Sequence, residues 1–140
     1  MKLLNRVTLV LVLLAVMSVA TACGGNNSPT DVAKIFFEGI LKTDASAIRS
    51  VICEARRGGV TDELVAEKRE AMAAIDTSDL TSVTYTYNKT TSSVSVGGDV
   101  RINVNGLSIR VSANALIPEG IPVVKEGLNW RVCPLYPMGG

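Results

Sequence analysis

Apolar residues recur at three-to-four spacing through one stretch of this chain and at every second position through the next, and the change of period divides it. After Ser28, the residues Val32, Ile35, Phe36 and Ile40 form a helical stripe that Ala33, Phe37 and Leu41 broaden. The spacing predicts a first helix to about Lys42 with one wide buried face. Ser28-Pro29-Thr30-Asp31 reads as its start: Ser28 as N-cap, Pro29 in the first turn, Asp31 placed to reach back. Asp44 is placed to cap a short second helix holding Ile48, Val51 and Ile52, with Cys53 in its last turn. Arg56-Arg57-Gly58-Gly59 interrupts the pattern as a solvated turn, and Thr61 then caps a third helix marked by Leu64, Val65, Lys68, Ala71, Met72 and Ile75.

From Asp76 the period is two, and Thr, Ser, Val and Tyr dominate, as in half-buried strands. Val83, Tyr85 and Tyr87 alternate with Ser82, Thr84 and Thr86. Val94 and Val96 continue through Gly97-Gly98 to Val100, Ile102 and Val104, so the glycine pair predicts a bend or bulge in one run. Asn105-Gly106 is a strong signal for a two-residue hairpin turn. It joins Val100–Val104 to a strand Leu107–Ala115, whose Leu107, Ile109, Val111, Ala113 and Ala115 are expected to point inward. A Pro-Glu-Gly-Ile-Pro stretch at 118–122 interrupts, and Val123-Val124 and Trp130–Cys133 make a last hairpin. Three helices followed by about four antiparallel strands define an α+β domain in which a curved sheet packs its apolar face on the first helix.

The N-terminus follows neither period. Met1 to Arg6 carries Lys2 and Arg6 without an acid, and Val7 to Ala20 then runs apolar except for Thr8 and Ser18. The run is shorter than the roughly 20 residues of a transmembrane helix, so an export signal is the better reading than a permanent span. The closing residues Ala20-Thr21-Ala22-Cys23 resemble the lipobox of bacterial lipoproteins, with Ala20 where leucine is commoner. That resemblance implies a diacylglycerol thioether on Cys23, usually with a third acyl chain on its amine, and stable anchoring to the membrane surface. An ordinary signal peptide cut after Ala22 would leave Cys23 as a free thiol.

Composition narrows the chemistry. Fourteen Lys and Arg face 13 Asp and Glu over 140 residues, and no partnership with nucleic acid is suggested. The chain has no histidine, which excludes Ser-His-Asp and Cys-His mechanisms and the commonest zinc ligands. Of three cysteines, Cys23 is assigned to the lipid; Cys53 and Cys133 remain, and an oxidising envelope would let them pair. A redox-active or metal-binding pair is the rival reading, without CxxC spacing or further soft ligands in its favour.

The opening helix with Phe36-Phe37, the short Asp44-Ala45-Ser46-Ala47 helix and the closing Val123–Val132 stretch with its Trp130 resemble a family of small bacterial lipoproteins of unknown function. These have a nuclear-transport-factor-like, or cystatin-like, domain. The resemblance covers roughly residues 28–135 and implies a cone-shaped domain of about three N-terminal helices on a curved antiparallel sheet of about four strands. It divides the chain into a signal peptide at 1–22, a lipidated Cys23 with a flexible tether to 28, a domain at 29–135 and a loose tail at 136–140. Such cones often leave a cavity between sheet and helix, where Phe36, Tyr85, Tyr87 and Trp130 are the candidate pocket residues. No catalytic, cofactor-binding or metal-ligating set emerges from the residues. The expectation is an exported, lipid-anchored, non-enzymatic module that binds an envelope protein or a small apolar ligand. The alternative is a cone-fold enzyme of the ketosteroid-isomerase type acting on a hydrophobic substrate.

Overall fold

Ser28 starts the fold as its sequence context suggests. Its Oγ accepts the Asp31 N–H at 3.1 Å and its own N–H donates to Asp31 Oδ2 at 3.2 Å, closing a capping box at the head of α1 (Pro29–Leu41). The protein is described by a computed structural model over residues 27–135; the expected signal, Cys23 and the 136–140 tail lie outside the described residues. Asp44 caps α2 (Ala45–Val51) by accepting the Ala47 N–H at 3.0 Å, and Gly39 of α1 lets the side chain of Ile48 pack close. The Arg56-Arg57 turn is itself one helical turn, α3 (Glu54–Arg57), and Thr61 caps α4 (Asp62–Met72). Only Val65 of α4 is buried, so this helix rides on the surface.

Seven strands follow: β1 (Ile75–Asp76), β2 (Thr84–Asn88), β3 (Ser93–Gly97), β4 (Asp99–Val104), β5 (Leu107–Ser112), β6 (Ile121–Glu126) and β7 (Asn129–Val132). A fifth helix, α5 (Ala113–Leu116), sits between β5 and β6. Pairing is antiparallel throughout, in two sheets ordered β1-β4-β5 and β2-β3-β6-β7. Helix α1 contacts every strand of the four-stranded sheet, and Val32, Phe36 and Phe37 join Val94, Val96, Ile121, Val123 and Val132 in one core.

This overturns the expected cone of three helices on one curved four-stranded sheet. The α+β class and the order of helices before strands hold, but the described residues form five helices and two sheets of three and four strands. The cause lies at Gly98. Its φ of +79° and its contact with the Ser82 carbonyl break the run that alternates through Gly97-Gly98. Residues before it pair with β2 and β6, and residues after it pair with β5 and with the two-residue β1, where Ile75 meets Ile102. Ile75 is therefore strand rather than helix. The strand expected to reach Ala115 stops at Ser112, because Ala113–Leu116 turns into a helical segment.

The fold treats its sheet edges unequally. Beside β7, the Asn27 side chain accepts the Trp130 N–H at 2.7 Å and donates to the Trp130 carbonyl at 3.1 Å. Farther along, the Cys53 N–H donates to the Val132 carbonyl at 2.7 Å, and Ile52 bridges Val132 in parallel. An edge so covered offers little to another strand. The expected disulfide is present: Cys53 and Cys133 are joined with Cα atoms 5.1 Å apart, tying the start of α3 to the end of β7 across 80 residues.

Candidate functional site

An apolar groove opens beside α1 where three segments meet, with a volume of about 400 Å³. Its floor comes from helical spacing: Phe36 and Ile40 lie one turn apart on α1, and Phe36 is almost fully buried. The second wall is the Pro-rich link after α5, in which the Gly120 N–H donates to the Ile117 carbonyl at 3.1 Å. That turn delivers Ile121 to the bottom of the groove, where it pairs with Val94 and is fully buried. Leu116, Ile117 and Pro118 form the rim, with Leu116 at 41% exposure.

The third wall is Pro134 and Leu135, and its position depends on the staple next to it. Cys133 is fixed by its bond to Cys53 and by its N–H donating to the Pro122 carbonyl at 3.0 Å. Arg56 Nη2 then donates to the Leu135 carbonyl at 3.0 Å. Arg56 and Arg57 thus both serve main-chain carbonyls, Arg57 reaching Ile52 at 3.5 Å. Among the described residues Glu119 is the one ionisable residue lining the groove, and Leu135 is 71% exposed. The volume of the groove is within the size range of small-molecule pockets.

Of the four candidate pocket residues, Tyr87 and Trp130 are brought into contact, but the groove does not gather all four. Phe36 lines the groove. Tyr85 packs edge-on against Phe37, with ring centroids 6.3 Å apart, while Tyr87 packs edge-on against Trp130 at 5.4 Å. The groove wall includes neither tyrosine and not Trp130. The sequence signal for the lining of this groove is the Pro-Glu-Gly-Ile-Pro stretch at 118–122, an irregular segment set between two apolar runs.

Among the described residues, Tyr85 carries a buried hydroxyl without a hydrogen-bond partner. Burial pushes its ionisation well above the ordinary tyrosine range, and the Glu38 carboxylate nearby adds to this. No polar or charged residue is fully buried among the described residues. The carboxylates with displaced protonation are the half-buried Asp76 and the exposed Asp79, held below the usual carboxylate range by hydrogen bonds from Ser78 and Thr81 respectively. These are turn-forming contacts on the surface. A carboxylate base raised by burial and facing a tyrosine, which isomerase chemistry needs, is not assembled from them.

A larger hollow of about 540 Å³ lies between α2 and α4, lined by Lys42, Asp44, Arg49, Asp62 and Arg69 among others. Two of its charges are paired: both terminal nitrogens of Arg49 donate to Asp62 Oδ1 at 3.0 Å, and Nη1 also reaches the Val60 carbonyl at 3.1 Å. The apolar groove is the better candidate because its exposed surface has no such internal partner. Among the described residues no three Cys, Asp or Glu side chains gather as a metal-ligand set, and no helix is long and apolar enough to cross a membrane. No protein-family profile matches the chain, and no curated protein or solved structure is significantly similar to it.

Proposed function

We propose that this chain is an exported lipoprotein, anchored through acyl chains on Cys23 to the extracytoplasmic face of a cell membrane. Its folded domain acts there as a non-enzymatic module that holds a small apolar ligand. The observation that carries the ligand reading is the groove floored by Phe36 and Ile40, with Glu119 as the single ionisable residue that lines it among the described residues. The anchor rests on the charged start, the apolar run and the small residues before Cys23. A disulfide between Cys53 and Cys133 suits an oxidising compartment outside the cytoplasm.

Two measurements test the halves separately. Intact mass of the protein from its host's membrane fraction should match residues 23–140 plus acyl chains; an unacylated mass ends the anchor reading. A fluorescent long-chain fatty acid should bind saturably to the purified protein and lose at least tenfold in affinity with Leu116→Glu, which places a charge on the groove rim. Absence of saturable binding, or binding that Leu116→Glu leaves unchanged, ends the ligand reading.

A further inference from the structure

Among the described residues β5 is an edge left open, and its chemistry is that of a strand awaiting a partner. A two-residue turn at Asn105-Gly106 sets Val104 opposite Leu107, Ile102 opposite Ile109 and Val100 opposite Val111. In such a hairpin these are the pairs that exchange main-chain hydrogen bonds. The N–H and C=O groups of Ser108, Arg110 and Ser112 therefore point away from β4, into the free side of the sheet. No hydrogen bond reaches them among the described residues.

The apolar side of the same hairpin is equally unfinished. Alternation puts Val104, Leu107 and Ile109 on one face with Val100 and Val111; that pair reaches the core, but toward the turn Val104, Leu107 and Ile109 are 47%, 67% and 43% exposed. The long helix α1 packs on the other sheet. Proteins guard such edges with proline, bulges, lysine or very short strands. The strand β5 has six residues, none of them proline or lysine, and it pairs with β4 without a bulge.

We propose that a second copy of this chain completes the edge, two β5 strands pairing antiparallel about Ile109. The residues favour self-association because one register satisfies every position. With Ile109 opposite its copy, Leu107 meets Val111, and Ser108 and Arg110 exchange main-chain hydrogen bonds across the two-fold axis. Four such bonds form, and the apolar faces of two hairpins join into one. A shift by one residue on both strands sets Arg110 against Arg110, a like-charge pair that is destabilising. The alternative of half that shift turns apolar side chains to the polar face. The contact is small against the roughly 1,200 Å² of a standard interface, so the dimer forms at high local concentration. It does not depend on what the groove binds.

Cross-linking tests edge and register together. In the paired state residue 109 and its copy form a non-hydrogen-bonded pair, with Cα atoms about 4.5 Å apart, within disulfide range. The full chain carrying Ile109→Cys, mildly oxidised across a concentration series, should give a covalent dimer on non-reducing gels. Arg110→Cys should give at least tenfold less. Adding Ser108→Pro, which removes one outward N–H and spares the bonds to β4, should abolish the Ile109→Cys dimer while the Cys53–Cys133 bridge and the circular dichroism persist. No dimer from Ile109→Cys, equal yields at 109 and 110, or a dimer that survives Ser108→Pro would each overturn the proposal.

Discussion

Asn27 holds Trp130 by both main-chain groups, its side-chain amide standing in for a strand on the outer side of β7. Two neutral hydrogen bonds of this kind contribute about 1 kcal/mol each. Asn27→Ala should therefore lower unfolding free energy by about 1–2 kcal/mol, read as a shift of the urea midpoint at constant slope. Asn27→Asp should cost at least as much, because a carboxylate cannot donate to the Trp130 carbonyl and is repelled by it. The contact also constrains the proposed anchor: Asn27 is four residues beyond Cys23, a covalent reach of at most about 14 Å. The Trp130 edge of the domain would sit close to the lipid.

The Cys53–Cys133 staple has a second role beside closing an 80-residue loop, since it fixes the residue before the Pro134–Leu135 wall of the groove. Cys133→Ser should destabilise the domain by about 2–5 kcal/mol, the usual range for a lost native disulfide in a small exported domain. Under conditions where the variant remains folded, its affinity for the fatty-acid probe should fall severalfold with the loosened wall. A variant as stable as the parent in a urea titration would remove the first role; unchanged probe affinity would remove the second.

Features fixed by a few neighbouring residues are legible in the amino-acid order alone. The Ser28, Asp44 and Thr61 caps and the Asn105-Gly106 turn depend on local hydrogen-bonding geometry, and each is present. The Cys53–Cys133 pairing follows from counting thiols once Cys23 is set aside. What alternation does not encode is which strand a run pairs with or whether its apolar face is covered. Val94–Val104 reads as one run whether or not its sheet divides at Gly98, because its partner β1 is only two residues long. Leu107 and Ile109 alternate correctly and still face solvent. Tyr85 and Tyr87 share a strand face but end against different aromatic rings, and most of the groove wall comes from a segment without periodicity.

The division at Gly98 is directly testable. A Cβ there would overlap the Ser82 carbonyl, and φ of +79° is unfavourable for any residue with a side chain. The backbone term alone costs about 1–2 kcal/mol, and relieving the overlap must add to it. Gly98→Ala should therefore lower the thermal midpoint well beyond Gly106→Ala, where the positive φ is similar but a Cβ meets open space. Equal losses at the two positions would mean that the Ser82 contact does not hold the sheets apart.

Tyr85 joins an unpartnered buried hydroxyl to an ionisation displaced upward by burial, and both favour its substitution by phenylalanine, over different ranges of pH. At neutral pH both folded and unfolded chains hold the phenolic proton, so only the lost hydroxyl hydration matters. Tyr85→Phe removes that cost and should stabilise the domain by up to about 1 kcal/mol. Above the ordinary tyrosine value of 10.0 the unfolded chain ionises at Tyr85 while the folded chain stays neutral. Proton release then favours unfolding, and stability falls as pH rises from there. The variant lacks this group, so its advantage over the parent should grow between pH 10 and 12 in paired urea titrations. A constant difference across that range would place the Tyr85 hydroxyl in contact with water.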